Sequence, residues 1–155
     1  MPVDPQKLDF VLREFPALLR MLDRDAKGKW GQMNGQQMVE HFIWSVQNSN
    51  GKLQLPLVNE GEILEKVRAF LFSDKQFREN TRNPYLGDPQ PVQYPSMNAA
   101  IDTLQSELQY MVDTFTQHPG KTIQHPIFGE LDFEGHLQIL YKHVQHHLRQ
   151  FGLIS

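Results

Sequence analysis

The chain of 155 residues sets 15 Lys and Arg against 18 Asp and Glu, a formal net charge of −3. That balance, with no basic arm, excludes nucleic-acid binding by phosphate neutralisation. The absence of cysteine excludes a disulfide framework, a thiol nucleophile and any thiolate metal site, so a metal would have to be held by histidine and carboxylate. At 39% hydrophobic residues the chain has enough apolar side chain for one core, and a single domain over residues 1–155 is expected. The first residues carry no apolar signal region, and the longest apolar runs fall far short of the ~20 residues that span a bilayer. A cytoplasmic protein with no membrane partner is the expectation.

Asp4 and Pro5 open the first element, the carboxylate capping a helix start and proline losing nothing at the first helical position. Leu8, Val11, Leu12, Phe15, Leu18, Leu19 and Leu22 then recur at three- and four-residue steps. Pro16 falls inside this run and predicts a kink or restart near Phe15. Lys27, Gly28 and Lys29 end the segment. Asn34 with Gln37 has capping-box spacing and starts a second helix carrying Met38, Phe42, Ile43, Trp44 and Val46, which stops near Asn48–Gly51. A shorter helix is expected from about Glu62 to Phe72. Asn80 to Ser96 holds four of the ten prolines and no apolar period. A loop of that length either covers a site as a lid or crosses between distant helices.

Ser96 caps a strong helix seamed by Met97, Ile101, Leu104, Leu108, Met111, Val112 and Phe115, which His118, Pro119 and Gly120 break. Ile123 to Leu131 reads as extended or turn-like. Asp132 caps the last helix, which buries Phe133, Leu137, Leu140, Tyr141, Val144, Leu148 and Phe151 and ends at Gly152. The pattern predicts an all-α chain, a four-helix bundle with one long crossover loop and a short extra helix. The aromatic and methionine positions read as core.

Four of the seven histidines, His136, His143, His146 and His147, fall in this last helix. At about 100° per residue, His143 and His147 stack on one face with a rise of roughly 6 Å, so two imidazoles can converge on one ion. His143 with His146 is the rival pair, but His146 points farther toward solvent. A catalytic site needs a third protein ligand and an open position. His41, among Met38, Phe42 and Trp44 on the second helix, is the best candidate, and its face continues with Ser45 and Asn48, placed to orient a ligand or contact a substrate. Gln150, one turn beyond, is a candidate to support the ligands, and His136 to line the same cavity without binding the same ion. Turn chemistry accounts for His118, which precedes a proline as His125 does. The affinity of such a site is expected to weaken below about pH 6.5 as imidazoles protonate.

The run His125-Pro-Ile-Phe-Gly-Glu-Leu131, the run from Tyr141 to Gly152, Trp30-Gly-Gln-Met-Asn34 and Met38-Val-Glu-His41 together resemble a branch of the DinB/YfiT-like superfamily, from the first helix to Gly152. The resemblance implies a four-helix bundle, often dimeric, holding a divalent ion such as zinc, nickel or iron. One ligand would come from the second helix and two from the last, here His41, His143 and His147. It also implies thiol-dependent transferase or isomerase chemistry, or metal-dependent hydrolysis, on a small-molecule substrate, with a low-molecular-weight thiol as a candidate partner. His136 stands where that branch is expected to carry a bulky aromatic. No carboxylate clearly shares the face of His41 or of His143 and His147, since Glu40 lies about 100° around its helix from His41. The alternative expectation is a non-catalytic bundle that binds a metal or a small ligand.

Overall fold

The structure is a computed structural model that describes residues 3–79 and 89–155. Its first helical run is α1 (Pro5–Asp9), a π-helical turn π1 (Phe10–Glu14) and α2 (Phe15–Leu19). Asp4 caps it through Oδ1, which accepts from the N–H of Gln6 at 2.9 Å. Pro16 offers no N–H, and its ring would press on the carbonyl four residues back in a regular α-helix. The chain widens by one hydrogen-bond step instead: Phe15 N–H reaches the carbonyl of Phe10. The restart predicted near Phe15 is therefore a π turn, and it keeps Val11, Phe15 and Leu19 all fully buried.

Helix α3 (Gly35–Ser49) starts on the expected capping box, with Gln37 N–H donating to Asn34 Oδ1 at 2.8 Å and Asn34 N–H to Gln37 Oε1 at 2.9 Å. Helix α4 (Gly61–Leu71) follows, then α5 (Met97–Gln117), capped by Ser96, and α6 (Phe133–Gln150), capped by Asp132. The end of α6 is closed by Gly152 at φ +71°, with Gly152 N–H on Arg149 O and Leu153 N–H on Leu148 O. That is the paired arrangement glycine permits at a helix C-terminus. Val11 and Phe15, Met38, Phe42 and Val46, Ile101, Leu104 and Leu108, and Leu140, Val144 and Leu148 meet in one core. The N-terminal run, α3, α5 and α6 thus share their buried faces.

The chain is mostly helical, and the all-α expectation is corrected at one place. Ile123–His125 and Gly129–Leu131 pair as an antiparallel hairpin, β1 and β2, in the register Ile123 to Leu131. The turn needs Gly129 at φ +78°, and Ile123 and Leu131 are buried. Together with Leu71 of α4 and Ile139 of α6, Phe128 and Leu131 form a second, smaller core. The short extra helix is held there by polar bonds as much as by packing. Arg68 Nη1 donates to the carbonyls of Phe128 at 2.7 Å and Glu130 at 2.9 Å, and Gln138 Nε2 to Leu71 O at 3.0 Å. Lys142 Nζ donates to Ser73 O at 2.6 Å and to Lys75 O. These bonds fix the chain that leads to Phe77.

The loop expected over Asn80–Ser96, read as either a lid or a crossover, lies partly outside the described residues, at 80–88. The described end, 89–96, is fastened to the first turns of α3: Gln37 Nε2 donates to Gln90 O and Gln36 Nε2 to Tyr94 O, both at 2.9 Å. Among the described residues no helix is long and apolar enough to cross a membrane.

Candidate metal centre

Helices α3 and α6 place His41 opposite His143 and His147. The i,i+4 spacing on α6 brings His147 Nε2 to 2.9 Å from His143 Nε2, and His41 Nε2 comes to 2.9 Å from the same atom across the interface. One nitrogen from each ring lies within 4.8 Å of the others. Phe42, fully buried, forms the wall behind them, its ring centroid 4.5 Å from that of His143 and 5.2 Å from that of His147. Phe15 packs edge-on against Phe42 at 4.9 Å and so ties the cluster to the main core. His41 and His143 are half-buried and His147 is buried.

Burial disfavours protonation of all three imidazoles. It pulls His41 down to about 4, helped by the neighbouring His146. His143 and His147 lie well below the ordinary imidazole range, first through burial and then through repulsion from the other histidines. Neutral rings are what a metal requires of histidine.

Proton placement follows from the partners. Gln150 Nε2 donates to the carbonyl of Trp30 at 2.8 Å, which leaves Gln150 Oε1 facing His147 Nδ1 at 2.6 Å. An amide oxygen only accepts, so His147 carries its proton on Nδ1 and presents a lone pair at Nε2. His143 Nε2 then stands between two other Nε2 atoms with one proton or one lone pair to offer. No neutral arrangement gives both 2.9 Å contacts a proton of their own. The three nitrogens, within 4.8 Å of one another, are close enough for one cation to take a lone pair from each. Among the described residues His41 Nδ1 is buried with no partner, so none of them holds that ring's tautomer through Nδ1. The donor set fits a divalent ion of the imidazole-binding kind.

The chain belongs to the DUF1569 family. That family, described as a protein of unknown function, matches residues 4–152, a span that contains all three histidines. No curated protein and no solved structure matches the chain.

Several residues expected at the site of this DUF1569 chain do other work. Ser45 Oγ donates to the carbonyl of His41 at 3.1 Å, so it serves its own helix rather than a ligand. Asn48 Nδ2 donates to Leu53 O at 3.1 Å and Gln124 O at 3.3 Å, pinning the chain after α3 to the hairpin. His136 is fully buried between Ser49 Oγ at 3.0 Å and Ile123 O at 2.8 Å, outside the group formed by His41, His143 and His147. It is a satisfied core histidine, pulled down to about 4 by burial. His125 is likewise neutral, lowered to about 3 by burial, and its Nδ1 accepts from Ile127 N–H. His146 does not face solvent: it is 7% exposed, between Trp30 at 5.4 Å and Phe77 at 5.9 Å. Glu40 accepts from Gln93 N–H at 2.7 Å and from Gln36 Nε2 at 2.9 Å, so it anchors the 89–96 segment.

Gln150 does stand beside His147, as its spacing predicts. Trp30 and Phe77 were not foreseen. Trp30 falls in one of the runs that carry the family resemblance, and Gly28 and Gly31 flank it, but neither signal places its ring against His146.

Proposed function

We propose that His41, His143 and His147 hold one divalent ion, zinc, nickel or iron, in a DinB/YfiT-like four-helix bundle, and that the protein is a thiol-dependent transferase acting on a small substrate. The observation that carries the metal is the set of three Nε2 atoms with too few protons to satisfy their two 2.9 Å contacts. The common core of the N-terminal run, α3, α5 and α6 supports the bundle.

Three neutral imidazoles leave an ion's double charge uncompensated by the protein. A bound ion of this kind supplies Lewis acidity, lowering the pKa of a coordinated thiol or water toward neutrality. The residues present favour the thiol over the water. Hydrolysis needs a positioned base, and among the described residues no carboxylate joins the three histidines. Glu40, the acidic neighbour of His41 in sequence, is occupied by backbone N–H groups. Thiol transfer has no such requirement, because coordination itself stabilises the thiolate. Phe42, Trp44 and Phe77 line the cluster with apolar rings, which keeps water from weakening the electrostatics inside.

Metal content measured by plasma mass spectrometry on untagged protein tests the reading, with a His143→Ala, His147→Ala double variant as control. Near-stoichiometric metal in the native chain and none in the variant is expected, together with turnover of a monothiol and a chromogenic electrophile by the loaded protein. Absence of metal from both, after incubation with zinc, nickel and iron, refutes the metal site. Stoichiometric metal without turnover leaves a metal-binding bundle and refutes the transferase.

A further inference from the structure

The segment between α2 and α3 folds back over the end of α6 and is closed by a bridge between Lys27 and Asn34. It wraps one side chain. Lys29 N–H donates to the carbonyl of Gln150 at 2.7 Å, and Trp30 O accepts from Gln150 Nε2 at 2.8 Å. Both glycines of the segment face the same side chain. A Cβ on Gly28 would stand 2.8 Å from Gln150 Cγ, and one on Gly31, at φ +79°, would stand 2.7 Å from Gln150 Nε2. A side chain at Gly31 would require Gln150 to move, and one at Gly28 would require both Gln150 and the Trp30 carbonyl, also 2.8 Å away, to move. Gln150 itself is 3% exposed, and both ends of its amide are committed.

We infer that Gln150 and the Gly28–Gly31 loop form a device that sets the proton of His147 on Nδ1 and aims its Nε2 lone pair at the ion. Gln150 is a positioning residue and not a ligand. The inference rests on the three-histidine reading. The logic is that of a metal-bound imidazole whose far nitrogen donates to a fixed acceptor, which raises its basicity and locks its orientation. What is particular here is the direction of control. The amide points its oxygen at His147 only because Trp30 O takes its NH2 group. Loop geometry, more than 100 residues earlier in the chain, therefore decides a tautomer in the site.

The test uses the whole chain in two forms. In metal-free protein, long-range proton–nitrogen correlation of the His147 ring reads its tautomer directly. Zinc affinity is read by competition with a chromogenic chelator. Native protein is expected to show protonated Nδ1. Gln150→Leu, which removes the acceptor, is expected to lose that preference and to bind zinc about 10–100-fold more weakly. Gln150→Glu keeps an oxygen for Nδ1–H but gives up the N–H to Trp30 O, so it is expected to keep the protonated Nδ1 while lowering the melting temperature; a tautomer kept in a less stable variant separates positioning from a general loss of folding. If Gln150→Leu binds zinc as tightly as native protein with the His147 tautomer unchanged, the inference is overturned and the metal reading stands. If native protein binds zinc no better than the His143→Ala, His147→Ala variant, the metal reading falls, and the role of Gln150 toward an ion falls with it.

Discussion

Replacing His136 by glutamine should flatten the acid sensitivity of the fold. In the native state this ring sits fully buried between Ser49 Oγ and Ile123 O, and burial holds its pKa at about 4 against 6.5 for an exposed imidazole. Between those two values the unfolded chain binds a proton that the folded chain refuses, so stability is complete above about pH 6.5 and is lost as pH falls toward 4. At pH 5 an unfolded imidazole gains about 2 kcal/mol from protonation while the buried one gains almost nothing. Native protein should therefore lose about 2 kcal/mol more than His136→Gln between pH 7.5 and pH 5. Glutamine retains an N–H for Ile123 O and cannot titrate. Urea unfolding followed by circular dichroism, with EDTA present, measures the difference, and contributions from the histidines that do not neighbour His136 cancel between the two proteins; His125, 6.3 Å away, is lowered first by its own burial, which the variant keeps. Equal losses in both would refute the assignment of His136 as a buried neutral group.

Two further outcomes follow from the site. Because burial draws His41 to about 4 and His143 and His147 well below their ordinary range, proton competition for the ion sets in later than the pH 6.5 expected of exposed imidazoles. Zinc affinity should fall less than about threefold between pH 7.5 and 5.5 and steeply below that; a tenfold loss already at pH 6, measured by chelator competition, contradicts the burial argument. Glu40→Ala strips acceptors from Gln93 and Tyr94 N–H and should cost about 1–3 kcal/mol of stability while leaving zinc affinity unchanged. Loss of zinc binding in that variant would place Glu40 in the site.

Much of this structure was written locally. Asn34 with Gln37, Ser96, Asp132 and Gly152 are read from three- or four-residue spacings, because a cap is made by neighbours in sequence. Pro16 announced a break, although not that the break would be a π turn. The pairing of His143 with His147 and the choice of His41 also follow from helical spacing and an apolar neighbourhood. The errors share one cause. Helical spacing sets His146 toward solvent and His136 toward the cavity because it encodes only the angle around one axis. Trp30, Phe77 and Ile123, which surround them, arrive from loops and a hairpin whose paths no periodicity encodes. Ser45 and Asn48 lie on the expected stretch of α3, but their hydrogen bonds go to a backbone carbonyl one turn back and to the hairpin.

The chain contains two tryptophans, and both stand against this cluster. Trp44 stacks on His41 at 6.3 Å, and Trp30 lies 5.4 Å from His146 with its carbonyl on Gln150. Every indole the protein owns is thus within one imidazole of the candidate ligands. Its intrinsic fluorescence is a spectrum of this site and of little else, so an open-shell ion such as nickel seated there would quench most of the emission, with no label attached and no substrate known.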